Sequence, residues 1–103
     1  MLVFNVTFKC APGMRDAFLD GILREQIIPR ARAEAGNLQY DYFIPVGNDD
    51  ELFLVEKYRD DEAVGAHVRQ AHTAKLVELK EAYVSDMILE KYEKPDDCTP
   101  TDC

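Results

Sequence analysis

Residues 51–72 read ELFLVEKYRDDEAVGAHVRQAH, and this stretch decides the fold. It opens as a strand. Leu52, Leu54, Glu56 and Tyr58 point one way, and Phe53, Val55 and Lys57 the other, so both faces carry large apolar residues. Arg59-Asp60-Asp61-Glu62 then stops the strand and starts a helix. Asp60 suits the N-cap, and Asp61 and Glu62 suit the positive end of the helix dipole. Ala63, Val64, His67, Val68 and Ala71 fall on one face at helical spacing. His67 therefore lies inside an apolar stripe, aimed at whatever the helix packs on. His72 is expected at the rim of that stripe, near a helix break.

Outward from this centre, residues 2–9 (LVFNVTFK) alternate as a strand, with polar Asn5 where a central strand is expected. Asn5 either finds a local hydrogen-bond partner or faces a pocket. Ala11-Pro12-Gly13 breaks the strand, and Pro12 is placed to open a helix reaching about Ala35, kinked or restarted at Pro29. Gly36 is expected to close it as a left-handed cap. Residues 38–46 form a second strand ending near Pro45, and the turn Gly47-Asn48-Asp49-Asp50 makes it a hairpin with the strand from Glu51. Residues 73–83 form a further helix and 84–93 a last strand. The order β-α-β-β-α-β, its second helical segment broken in two, predicts an α+β, ferredoxin-like antiparallel sheet. Helices suffice for one face of that sheet, and its other face stays apolar, so a second copy of the chain is the simplest cover. The expected organisation is one domain over residues 1–93 and a mobile acidic tail over 94–103.

The chain has 103 residues and a net charge of −8, which argues against nucleic acid, whose partners carry a basic face. No apolar run is long enough to span a bilayer, and the opening MLVFNVTFKC does not pattern as a signal peptide, so the expected compartment is the cytoplasm and no membrane partner is expected. Cys10, Cys98 and Cys103 make an odd set that does not read as a disulfide framework. The two tail thiols lack the remaining ligands of a zinc site. Phosphate loops, dinucleotide fingerprints, nucleophile elbows and zinc-protease helices are absent from the sequence.

The candidate chemistry rests on a few side chains. His67 and His72 are the only histidines, and either could be structural or catalytic. Tyr40, Tyr42 and Tyr58 could line an aromatic pocket or simply pack. Glu56 alternates with apolar neighbours, so it is a half-buried carboxylate that could act as a base or pair with a basic or amide group.

These residues together resemble the antibiotic biosynthesis monooxygenase superfamily of dimeric ferredoxin-like domains. The resemblance spans residues 2 to about 93. It is carried by the opening strand ending in Pro12-Gly13, by Glu34-Ala35-Gly36-Asn37-Leu38-Gln39-Tyr40-Asp41, by Glu56-Lys57-Tyr58-Arg59-Asp60, and by Ala66-His67 followed by His72. Quinol-type oxygenases, haem-degrading enzymes and an isomerase of a phosphorylated autoinducer sugar share this frame. The sequence departs from many members in having Gln70-Ala71 before His72, without a proline, and it has no Trp, which sets it apart from the haem degraders. The resemblance implies a dimeric α/β barrel and a monooxygenase acting on a small phenolic or quinol-like substrate and dioxygen. No metal or flavin is needed when the substrate itself supplies the electrons. On this reading His67 is the base or anion partner, and His72 a second candidate. Asn5, Tyr58 and Glu56 are polar pocket groups, and Tyr40 is a wall. The alternatives are an isomerase of a small hydroxyketone, with Arg59, Arg69 and Lys75 nearest in sequence for a phosphate, and a non-catalytic dimeric binding module.

Overall fold

A computed structural model describes residues 1–95. The elements run β1 (Leu2–Cys10), α1 (Arg15–Arg24), α2 (Ile27–Arg32), β2 (Asn37–Phe43), β3 (Glu51–Tyr58), α3 (Asp61–Val68), α4 (Ala71–Tyr83) and β4 (Val84–Glu93). The four strands make one antiparallel sheet in the order β2-β3-β1-β4. This is the ferredoxin-like arrangement expected from the element order, and the sheet is open.

Strand alternation decides which residues meet the helices. Leu2, Val6, Phe8, Tyr40, Leu52, Leu54 and Tyr58 are buried on the inner face. Phe18 and Ile22 of α1 and Ile27 and Ala31 of α2 are fully buried against that face, completing the core. Each large apolar side chain so buried favours folding by about 1.5–3 kcal/mol. The opposite face carries Val3, Phe53 and Val55, half-buried, with Phe43, Ile88 and Tyr92 exposed. Among the described residues, no element of the chain covers it.

Three local expectations need correction. Pro12 does not open the first helix: residues 12–13 form a turn, with Gly13 N–H donating to Asp50 Oδ1 at 3.0 Å, and α1 starts at Arg15. The break before α2 lies at Glu25-Gln26 rather than at Pro29 itself, with Gln26 left-handed at φ 55°. A proline ring collides with the carbonyl four residues earlier, here that of Glu25, so the helix parts there and restarts with Pro29 inside its first turn. Gly36 is not a left-handed cap, since the positive-φ glycines are Gly13 and Gly47. Its small size serves a close approach instead: a Cβ on Gly36 would collide with Cβ of Ala63. The Gly36 carbonyl also accepts from Arg59 N–H at 2.9 Å. The loop between α2 and β2 thus lies directly against α3.

The break between α3 and α4 falls at Arg69-Gln70, where Gln70 is extended (φ −75°, ψ 147°). Ala71 consequently belongs to α4 and is exposed, off the α3 stripe. Of the expected tail, Lys94 N–H still donates to the Met1 carbonyl at 2.9 Å, and residues 96–103, with Cys98 and Cys103, lie outside the described residues. No helix among the described residues is long and apolar enough to cross a membrane.

Candidate functional site

His67 reaches the site from the last turn of α3. Asp60 caps that helix, its Oδ1 accepting from Ala63 N–H at 2.9 Å. Ala63 and His67 are four residues apart on one face, so both point inward, and both are buried. The residue opposite His67 is Glu34, brought in by the loop that Gly36 lets settle against Ala63. Glu34 Oε2 lies 2.8 Å from His67 Nδ1 and 2.6 Å from His72 Nε2. An ionised carboxylate only accepts, so both ring nitrogens carry protons toward Glu34. This fixes the tautomer of His67 and leaves its Nε2 as the free nitrogen.

His67 Nε2 faces Glu56 Oε1 at 3.4 Å, beyond ordinary hydrogen-bond length. Glu56 Oε1 accepts from Tyr58 OH at 2.7 Å. Both side chains come from β3, two residues apart on its inner face. Burial pushes the Glu56 carboxyl above its usual range, and the Tyr58 hydrogen bond and the neighbouring His67 oppose that shift. Burial and the Glu56 carboxylate raise the Tyr58 phenol. The Tyr58 ring leans on the imidazole with centroids 5.1 Å apart.

These three polar groups stand on the wall of a mainly apolar cavity of about 330 Å3 between the sheet and helices α3 and α4, which Thr73 and Lys80 also line. Apolar side chains, Phe4, Val6, Leu54, Leu76, Met87 and Leu89 among them, form most of the remainder of its wall. The volume is within the range of small-molecule sites, roughly 300–1,000 Å3.

The structure brings His67, Glu56 and Tyr58 together on this cavity. It places the other expected site residues elsewhere. His72 is not at a rim: it is 4% exposed and stands behind His67, bonded to Glu34. It moves inward because the break at Gln70 restarts the helix with a different face toward α2. Tyr40 is also behind the imidazole, at 6.1 Å between centroids, with its hydroxyl 2.9 Å from that of Tyr42; it backs the ring and is not part of the cavity wall. Asn5 points to the opposite sheet face, between Val55 and Glu90, because strand alternation separates it from Phe4 and Val6. Arg59, Arg69 and Lys75 do not line the cavity.

Sequence reasoning gave Glu34 no role. One signal was available: an acid just past the C-terminal end of a helix, where the dipole favours a base, calls for a compensating partner. Glu34, His67 and His72 also offer three ligand atoms within 4.8 Å of one another, so they are the described residues able to hold a divalent cation. Tetrahedral zinc at roughly 2.0–2.1 Å from its ligands would spread neighbouring donors to about 3.3 Å. The 2.6 and 2.8 Å separations found here are those of shared protons.

Comparison with known proteins agrees with this architecture. The family model described as "Antibiotic biosynthesis monooxygenase" matches residues 1–79. A Bacillus subtilis (strain 168) protein, "Putative monooxygenase YcnE", is 35% identical over 72 residues, covering 70% of this chain and 74% of that one. The crystal structure of PA3566 from Pseudomonas aeruginosa superposes with a TM-score of 0.83 at 26% identity, covering 91% of this chain and 93% of that one. Rv0793 from Mycobacterium tuberculosis gives a TM-score of 0.82 at 21% identity over 95% and 98% of the two chains, a likeness of fold. The chain belongs to the antibiotic biosynthesis monooxygenase family.

Proposed function

We propose that this protein is a cofactor-independent monooxygenase acting on a small phenolic or quinol-like substrate, with His67 as its general base. The observation that carries the reading is the pinned imidazole. Nδ1 is committed to Glu34, and Nε2 opens on an apolar cavity that can hold an aromatic ring. Ground-state dioxygen reacts slowly with closed-shell phenols and faster with phenolates, so removing the phenol proton is the step the protein must promote. Nε2 takes that proton. The resulting imidazolium lies between the carboxylates of Glu34 and Glu56, which stabilise its charge. The apolar walls exclude water from the anion.

The electron count closes without an external reductant. The phenolate and its activated ring carbon give four electrons to dioxygen. A CH2 group of the keto tautomer becomes C=O, one oxygen atom enters the product, and the other leaves as water. Tyr58 OH is placed beside the base to donate to an oxyanion once it turns from Glu56.

The functional unit we propose is a homodimer joined through the uncovered sheet face, where Phe43, Ile88 and Tyr92 are exposed. The isomerase alternative needs several cations for a phosphate; Arg59, Arg69 and Lys75 are all off the cavity wall, where Lys80 alone among Lys and Arg stands.

The test is a screen of hydroquinones and fused-ring phenols with isotopically labelled dioxygen, following oxygen uptake and product mass. One labelled atom per product is expected. His67→Gln should lower turnover roughly a hundredfold or more, with the fold retained. Near-normal turnover in that variant would remove His67 as the base, and label-free products across the screen would remove the oxygenase assignment.

A further inference from the structure

The cavity has a second polar end. Lys80, on α4, lines it together with Phe8 and Met87. Its Nζ lies 4.0 Å from Met87 Sδ and within salt-bridge distance of no carboxylate among the described residues. In a chain of net charge −8, with 20 acidic residues against 12 Lys and Arg, a half-buried lysine with no carboxylate beside it on an apolar wall is conspicuous. A ligand that fills the cavity would displace water from this cation, which then gains most from an anionic partner on the ligand itself.

Strand register fixes the distance between the two ends. Glu56 pairs with Phe4, and Met87 pairs with Phe8. Four residues of β1 separate them along the strand, about 13 Å at roughly 3.3 Å per residue, and they flank β1 on opposite sides, two strand spacings of about 4.8 Å, so their backbones lie about 16 Å apart. Between these ends the wall is supplied by Val6, Leu54, Leu76 and Leu89, all apolar.

We infer that the substrate is an aromatic anion. Its hydroxyl sits at the His67–Glu56–Tyr58 end, a fused-ring frame fills the middle, and a carboxylate or equivalent anionic group pairs with Lys80. This deepens the reading given under Proposed function and rests on it for the cavity's use, while the recognition by Lys80 is a matter of binding alone. The pairing is a charge-assisted hydrogen bond in a site of low polarity, stronger than its counterpart in water.

Binding can be measured without turnover, by anaerobic calorimetric titration of the full-length protein. The probes are a hydroxyanthracene carboxylate, with hydroxyl and carboxylate on opposite terminal rings, and its neutral methyl ester. The acid is expected to bind at least about tenfold more tightly than the ester, a factor within the range of one charged hydrogen bond. Lys80→Met should remove that preference and leave ester affinity within about twofold, and Lys80→Arg should keep it. Thermal melting of each variant checks that it is folded. Equal affinity for acid and ester in the wild-type protein would overturn the assignment of Lys80 and leave the cavity reading standing. Binding of neither probe would overturn both. A preference for the acid that survives Lys80→Met would place the anion against another cation and overturn the role of Lys80.

Discussion

Replacing Glu34 by alanine tests whether the two histidines are held by this one carboxylate. Glu34 is 9% exposed at its side chain and accepts from His67 at 2.8 Å and from His72 at 2.6 Å. Without it, two buried ring N–H groups lose their acceptor. Each such orphan costs about 1–3 kcal/mol. The surface groove lined by Arg30, Ala33, Gln70 and His72 can admit water to His72, but His67 is farther in. The expected loss is therefore about 2–4 kcal/mol, from the lower half of the sum. For a domain of this size that lowers the melting temperature by roughly 10–25 °C. Urea titration should show the midpoint falling with an unchanged slope. Glu34→Gln keeps an acceptor oxygen and should lose only about 1 kcal/mol. A loss below about 1 kcal/mol for Glu34→Ala would refute the carboxylate clamp. A glutamine variant as unstable as the alanine one would show that the histidines need charge rather than an acceptor.

Other perturbations probe separate parts of the fold. The Glu56 carboxyl is raised by burial, so the folded state binds its proton at higher pH than the unfolded chain does. Its contribution to stability is full below the unfolded value and declines as pH rises through the folded one. The slope is at most about 1.4 kcal/mol per pH unit in that window, and Glu56→Gln should flatten it in urea titrations repeated across acidic and neutral pH. Gly36→Ala should cost about 1–3 kcal/mol through its collision with Ala63. The same variant should lower turnover by shifting His67, and a melting temperature equal to wild type would show that the loop yields freely. Sedimentation at micromolar concentration should give twice the chain mass, and Ile88→Asp on the uncovered face should give monomers. A wild-type monomer would remove the proposed interface.

The architecture was legible because its signals are periodic. Alternation in residues 2–9 and 51–58 and helical spacing around His67 placed the strands, the turn and α3 correctly, and Asp60 marked its own cap. The broken second helical segment was also readable. What escaped depended on contacts between segments distant in the chain. Glu34 reaches His67 across 33 residues, and no local pattern encodes that meeting. Gly36 looked like a cap because glycines after helices commonly are caps; only Ala63 opposite it reveals a different need. Asn5 could not be assigned to a face until the register set Phe4 and Val6 toward the helices. His72 was misplaced because the break at Gln70 resets the helical phase.

The cavity's walls have two origins in the chain. Glu56, Tyr58 and His67 on the wall, and Glu34 behind His67, lie within residues 1–79, the segment that the family model matches. Lys80, Met87 and Leu89, which close the far side, follow it. On the proposed reading, proton chemistry and substrate choice fall in consecutive stretches of the chain. On that reading, mutations in the last helical turn of α4 and in β4 should retune which molecule is accepted while His67, Glu34, Glu56 and Tyr58 stay in place. Directed evolution for new substrates would therefore concentrate its library on residues 76–89, and exchanging β4 between relatives should transfer preference without rebuilding the base.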